Sequence, residues 1–397
     1  MKHFLTASLL LACTLSSTAQ EKKESKEGYV FTPVKELAVT SVKNQNRSGT
    51  CWSYSGLAFI ESELLRQGKP ATDLSEMFVV SHSYKDKADK YVRTHGFLNF
   101  AAGGSFYDVL YVLKHYGALP QEVYEGLNYG EKMNVHGELD NFSKAYVEAV
   151  VKNPNGKLSP AWKKGFDAIV DTYLGEVPAT FEHAGKTQTP ASYAAELGLN
   201  ADDYVSITSY THHPFYEPFV LEIQDNWRWA SSYNVPMDEM MEIMDNAIDK
   251  GYSIAWGSDV SEKGFTRNGI ATMPDMKAIE TSGSDQDRWV GLSKTAKNDE
   301  ITKLISKPCA EVEVTQALRQ EAYDNYQTTD DHGMQIYGIA KDQTGKKFYM
   351  VKNSWGTDNK YKGTWYASAP FVAYKTMNYI VHKDALPKAI AKKLGIK

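Results

Sequence analysis

The stretch Asn44-Gln45-Asn46-Arg47-Ser48-Gly49-Thr50-Cys51-Trp52-Ser53-Tyr54 decides how the chain is read. It sets a cysteine at the mouth of a helix, with a glutamine six residues earlier. After Trp52, residues Leu57, Phe59, Ile60, Leu64 and Leu65 recur at mainly helical spacing, and Gly68 and Pro70 end the run. Cys51 then lies in the first turn, where free N–H groups and the helix dipole favour a thiolate. A thiol that attacks a carbonyl must ionise, must have a base in reach, and needs donors aimed at the oxyanion. The side-chain amide of Gln45 and the Cys51 N–H are the donors this stretch offers.

The base and its orienting group stand far downstream. Asp331-His332-Gly333-Met334-Gln335-Ile336-Tyr337-Gly338-Ile339 reads as a strand starting at His332. Lys347-Phe348-Tyr349-Met350-Val351-Lys352-Asn353-Ser354-Trp355-Gly356 reads as a second strand ending at Asn353. Asp342-Gln343-Thr344-Gly345 between them is turn chemistry. An antiparallel hairpin then sets Asn353 roughly opposite His332, where an amide oxygen fixes the imidazole tautomer. Trp355 is expected to cover that pair against water. Asp330 and Asp331 read as solvated loop charges, because an extended chain points them away from His332.

Gln, then Cys-Trp, then a strand-leading His and Asn-Ser-Trp-Gly resemble the papain-like cysteine peptidases, with Leu74-Ser75-Glu76 and Gly103-Gly104 in matching order. The resemblance implies an α+β, two-lobed fold, a helical lobe against an antiparallel β lobe. It implies catalytic Cys51, His332, Asn353 and Gln45, a Gly103-Gly104 pair along the cleft where substrate backbone approaches, and Trp355 beside it. His332 follows Cys51 by 281 residues, whereas papain-type enzymes leave about 130–150. This spacing, with Tyr173-Leu174-Gly175-Glu176-Val177-Pro178 and Tyr233-Asn234-Val235-Pro236-Met237, resembles the bleomycin hydrolase and aminopeptidase C branch with its large helical insertion. The resemblance covers most of residues 30–385. In that branch the C-terminal arm lies in the cleft and its terminal carboxylate meets the substrate's α-amino group, which would make Lys397 a substrate-binding residue. It also implies peptide substrates, no cofactor or metal, and an assembly of six copies with inward-facing sites.

Residues 1–19 read as a secretory signal: Lys2 and His3, a mostly apolar Phe4 to Leu15, and small residues ending at Ala19. The expected location is the periplasm or exterior of a bacterium. Leu10-Leu11-Ala12-Cys13 resembles a lipoprotein box, so a lipid anchor through Cys13 is the alternative. The mature chain keeps Cys51 and Cys309; two cysteines, one needed as a thiol, leave no disulfide framework. Cys309 reads as a space-filler. The net charge of −5 argues against a general polyanion-binding surface. No phosphate loop, dinucleotide fingerprint or acidic metal cluster is present, and no apolar run after residue 30 reaches the ~20 residues a membrane span needs.

Residues 20–30 are charged and read as disordered, and about 130–305 as a mainly helical insertion. Within it Ser159-Pro160 and Thr189-Pro190 open helices, and Met237, Met240, Met241, Ile243, Met244, Ala247 and Ile248 form an amphipathic face read as core. His212-His213 reads as a loop pair without metal partners. The tail at about 385–397 is suited to an arm that docks Ile390, Leu394 and Ile396. A thiol aminopeptidase is the leading reading. The alternatives are a papain-like endopeptidase and an inactive peptide-binding relative; acyl transfer to amines is disfavoured, because its orienting residue is usually Asp.

Overall fold

The computed structural model describes residues 28–276 and 294–397. The readings of residues 1–19 and of Cys13 lie outside the described residues. In chain order the helices are α1 (Cys51–Arg66), α2 (Glu76–Arg93), α3 (Phe106–His115), α4 (Gly137–Val151), α5 (Ala161–Leu174), α6 (Pro190–Leu197), α7 (Met237–Asp249), α8 (Lys294–Ile305), α9 (Gln316–Asp324), α10 (Ala369–Lys375) and α11 (Lys388–Lys393). The strands are β1 (Phe31–Glu36), β2 (Phe181–His183), β3 (Lys186–Gln188), β4 (Tyr204–Thr208), β5 (Pro218–Val220), β6 (Ser231–Asn234), β7 (Ile254–Ser258), β8 (Ile270–Ala271), β9 (His332–Asp342), β10 (Lys347–Lys352), β11 (Thr364–Ser368) and β12 (Thr376–His382).

Two apolar cores face each other, as the α+β two-lobed reading expects. One is built by α1 to α6 around Phe59, Ile60, Val80, Val112 and Phe166. The other lies on the main sheet, around Ile254, Trp256, Met334, Ile336, Val351 and Phe371. That sheet runs β5-β6-β4-β12-β7-β9-β10-β11-β8, with β1 added on β9. Its pairs are antiparallel except β4 with β6 and β11 with β8. The small β2–β3 hairpin stands apart.

Helix α1 joins the lobes. Residues Trp52 to Leu64 are all buried, Glu61 and Glu63 among them. Gly56 lets it approach α3, since a Cβ there would lie 2.6 Å from Val109 Cγ2. Gly333 lets it approach β9, since a Cβ there would lie 2.7 Å from Ser55 Oγ. Gln335 ties the two together by donating to the Ala58 carbonyl and the Ser62 hydroxyl. The β9–β10 turn forms where expected: Asp342 Oδ1 accepts from the N–H groups of Thr344 and Lys346, and Gly345 has φ +87.

Three expectations need correction. The 130–305 segment is not mainly helical, for it also supplies β2 to β8. Its Ser/Thr/Tyr-rich stretches extend the sheet that the β9–β10 hairpin belongs to, and tertiary pairing outweighs the weak local signal of strands as short as two residues. The charged 20–30 stretch has an ordered end: Tyr29 is buried and stacks on Phe31, beside Phe348. The C-terminal arm docks, but on α7. Ile390 and Leu394 are buried with Met240, Ile243 and Met244, and Lys393 bonds to Glu239 and the Tyr216 hydroxyl. The methionine face of α7 is core, as read.

Candidate active site

Cys51 opens α1 and borders a small cavity with Trp52, Gly104, His332 and Gly333. The Thr50 side chain makes no cap bond to α1; its carbonyl takes the Ser53 N–H, so in the first turn the N–H groups of Cys51 and Trp52 lack an intrahelical acceptor among the described residues. Burial opposes the thiolate that this position favours. Burial pushes the Cys51 thiol up to about 12. The N–H groups of Gly333 and Trp52 pull it back, and the charges of Asp330 and Asp225 push it further up.

His332 begins β9 opposite Ser258 of β7. Its Nε2 lies 2.7 Å from Asn353 Oδ1, which also accepts from the Ser354 N–H. Nε2 is therefore the protonated nitrogen against the amide oxygen, and Nδ1 makes no hydrogen bond among the described residues. The pairing is not the simple hairpin opposition expected. A bulge at Tyr337 shifts the register, Lys352 pairs with Gln335, and Asn353 follows the end of β10. The Asn353 side chain still bridges back to the ring. Trp355 stacks on the imidazole with centroids 4.7 Å apart. Burial pushes His332 down to about 4, while Asn353 acts against it.

Gln45 is buried and locked at both ends of its amide. Its Oε1 accepts from Ser354 Oγ at 2.6 Å and its Nε2 donates to the Ser48 carbonyl at 2.8 Å. The Gln45 N–H donates to the Ser354 carbonyl, so the strand after Asn353 also sets the glutamine. One amide hydrogen of Gln45 stays uncommitted. Gly104 lines the Cys51 cavity under Trp52. Gly103 is covered: a Cβ there would lie 1.9 Å from Asp225 Oδ2.

Two sequence readings of site residues are corrected. Lys397 is not brought to Cys51, since α11 and the residues after it pack on α7 and none of 385–397 lines the Cys51 cavity among the described residues. Asp330 and Asp331 are loop residues as expected, with Asp331 exposed, but they do not point away from the site, for both line that cavity. Burial, followed by the charges of Asp225 and Asp331, pushes Asp330 up to about 8. Their position just ahead of His332 was the available signal, because a strand that enters the site carries its preceding residues to the rim. Asp225, which comes from the insertion, had no local signal. His212 and His213 each face the Glu222 carboxylate, at 3.1 and 3.0 Å, a partner the loop-pair reading missed. These three groups bring their ligand atoms within 4.8 Å of one another.

Comparison with known proteins places the chain in a family. Residues 31–150 match the papain family cysteine protease model and residues 292–396 the peptidase C1-like family model. The chain is a papain-like cysteine peptidase. The peptidase is 23% identical to aminopeptidase G of Lactobacillus delbrueckii subsp. lactis, over 89% of this chain and 83% of that protein. It is 23% identical to aminopeptidase C of Streptococcus thermophilus, over 94% and 86%. Its fold is similar to the crystal structure of PepW from Lactobacillus rhamnosis HN001, with TM-score 0.67 and 20% identity, covering 92% of this chain and 84% of that one.

Proposed function

We propose that the protein is an exported thiol aminopeptidase that removes residues from the N-terminus of peptides through Cys51, His332, Asn353 and Gln45. The observation that carries the reading is the 2.7 Å contact of His332 Nε2 with Asn353 Oδ1, made by a histidine that lines the Cys51 cavity. It leaves Nδ1 as the nitrogen that takes the thiol proton. Burial opposes either group ionising alone. Transfer of the proton between them keeps opposite charges in contact, which offsets much of that penalty.

Cys51 Sγ attacks the scissile carbonyl as its proton passes to His332. The oxyanion is held by the Cys51 N–H and the free amide hydrogen of Gln45, each such donor being worth roughly 10²–10³ in rate. His332 then protonates the leaving amine, the C–N bond breaks, and an acyl enzyme remains. Water, losing a proton to His332, breaks the C–S bond and restores the thiol. Gly103-Gly104 and Trp355 flank the path of the substrate.

The exopeptidase part is supported by the aminopeptidase names of similar proteins and by the covered Gly103. Export rests on the Phe4 to Leu15 leader; a mature chain starting at Gln20 would support it, and one starting at a lipidated Cys13 would favour the anchored form. Assembly into six copies follows from the family resemblance and is read by light scattering. The central experiment compares alanyl- and N-acetylalanyl-arylamide hydrolysis by wild type and Cys51→Ala. Activity on the free-amino substrate that is lost in Cys51→Ala supports the reading. A preference for the acetylated substrate makes the enzyme an endopeptidase, and turnover by Cys51→Ala removes the nucleophile assignment.

A further inference from the structure

The segment Leu221 to Ala230, from the insertion, crosses the cleft beside Cys51. Ile223 and Asp225 line the Cys51 cavity. The Asp225 carboxylate rests against the Gly103 backbone, on the surface where extended substrate would otherwise continue. The segment is firmly held. Arg228 Nε bonds to Asp108 at 2.5 Å and its guanidinium to Asp86 at 2.7 Å, and Trp227 is buried. Asn226 donates to the carbonyls of Leu221 and Ala230, closing the loop on itself. Peptide entering past Cys51 therefore meets a fixed wall with a carboxylate at its face.

Beyond the wall lies a second cavity of about 500 Å³. It shares Ile223, Asp225, Asp330 and Asp331 with the Cys51 cavity, adds Glu222 and Asp324, and has no Lys or Arg in its lining. Most of these acids are answered. Glu222 faces His212 and His213. Asp331 accepts from the Thr329 hydroxyl, and its neighbour Asp259 faces Lys375. Asp324 accepts from Gln320. Arg228 is taken by Asp86 and Asp108. Two carboxyls are left, Asp225 and Asp330, and neither accepts a hydrogen bond among the described residues. The cation that faces Asp225 is Lys87, which is buried, feels Asp108 and Asp140 as well, and gives two of its three protons to the Ala101 and Gly103 carbonyls. Two unbonded, half-buried carboxyls one step from the nucleophile are arranged for an incoming cation.

We propose that Asp225 and Asp330 anchor the α-ammonium group of the substrate, so that an internal loop and the residue two before His332, rather than the C-terminal arm, select for a free N-terminus. This rests on the aminopeptidase reading and deepens it. The ammonium would sit at the wall shared by the two cavities, its first carbonyl at Cys51, with the Asp225–Gly103 contact barring any residue further upstream.

The test measures kcat/KM for alanyl-arylamide and N-acetylalanyl-arylamide in wild type, Asp225→Asn, Asp330→Asn and Lys397→Ala. Losing a carboxyl that the incoming ammonium holds ionised should lower the free-amino rate roughly 10–100-fold in each Asn variant, while the ratio of acetylated to free-amino rates rises. Lys397→Ala, and deletion of Lys397, which moves the terminal carboxylate, should both leave the ratio unchanged. The iodoacetamide alkylation rate of Cys51, together with the melting curve, shows whether nucleophile and fold are intact; the two single variants act from different segments, so one misfolded variant leaves the other to decide. If wild type is an aminopeptidase and neither Asn variant changes the ratio, the anchor assignment fails alone. If wild type prefers the acetylated substrate, the aminopeptidase reading fails with it. If the Asn variants lower only lysyl- and arginyl-arylamides, the acids read a side chain and the α-ammonium assignment is overturned.

Discussion

At the scale of single residues, the site is a set of groups each fixed by one neighbour. Asn353 Oδ1 holds both the His332 ring and the Ser354 N–H, so its loss frees the imidazole and loosens the turn that sets Gln45. Asn353→Ala should lower kcat roughly 10-fold with KM little changed, because it disturbs the base and not substrate contacts. His332→Ala should lower kcat by more, toward the roughly 10²–10⁴-fold of a lost general base. Stopped assays on one arylamide separate the two, and an Asn353→Ala rate equal to wild type would remove the orienting role. Asp330 makes a different kind of prediction. Its folded pKa, about 8, lies above the ordinary carboxyl value, so the fold favours its neutral form. Below pH ~4 both states bind the proton and nothing is lost; between there and pH 8 the unfolded chain releases it first, so this group's contribution falls as pH rises. Asp330→Asn should therefore melt roughly 1–3 °C above wild type at pH 8, and no higher at pH 4. Scanning calorimetry at the two values checks it. A gain in stability with a loss of free-amino turnover marks a residue kept for function.

At the scale of elements, α1 and the β9–β10 hairpin were legible because each carries its own strong local pattern. The apolar run behind Cys51 fixes the helix, and Asp342 to Gly345 fix the turn. The bulge at Tyr337 was not legible, since nothing in the alternation marks an extra residue, and the Asn353 side chain absorbs the slip. The arm shows the opposite failure. Its apolar residues were recognised as docking residues, but periodicity says that a face is buried and not against what. Leu394 is buried in the core beneath α7. Leu394→Ala should destabilise the fold by about 2–4 kcal/mol and leave the ratio of free-amino to N-acetyl hydrolysis where it was. Urea unfolding with the paired arylamide assay tests both halves. A changed ratio with unchanged stability would return the arm to the cleft.

At the scale of the whole molecule, the insertion is woven into the peptidase and does not sit upon it. Strand β7 lies between β9, which begins with His332, and β12 near the C-terminus, and all five of its residues are buried. Strand β4 extends β12 on its far side. The sequence reading took residues 130–305 as an added helical body because the length beyond a papain-like chain was visible, while short strands that pair across more than a hundred residues leave no local trace. The interleaving has a physical consequence. Deleting 201–276 would remove β4 to β8, leave one edge of β9 and both edges of β12 without partners, and strip Trp256 and the α7 face from the core. It would also remove Asp225. A separable module would leave a folded, Cys51-alkylating peptidase of broadened specificity. The interwoven sheet predicts instead a chain that is aggregated or protease-sensitive, with no cooperative melting transition, because unpaired buried backbone groups cannot be re-satisfied. Limited proteolysis and far-UV circular dichroism of the deletion distinguish the two, and a cooperative, protease-resistant product would show that the helical lobe and the β9–β11 hairpins fold without the insertion.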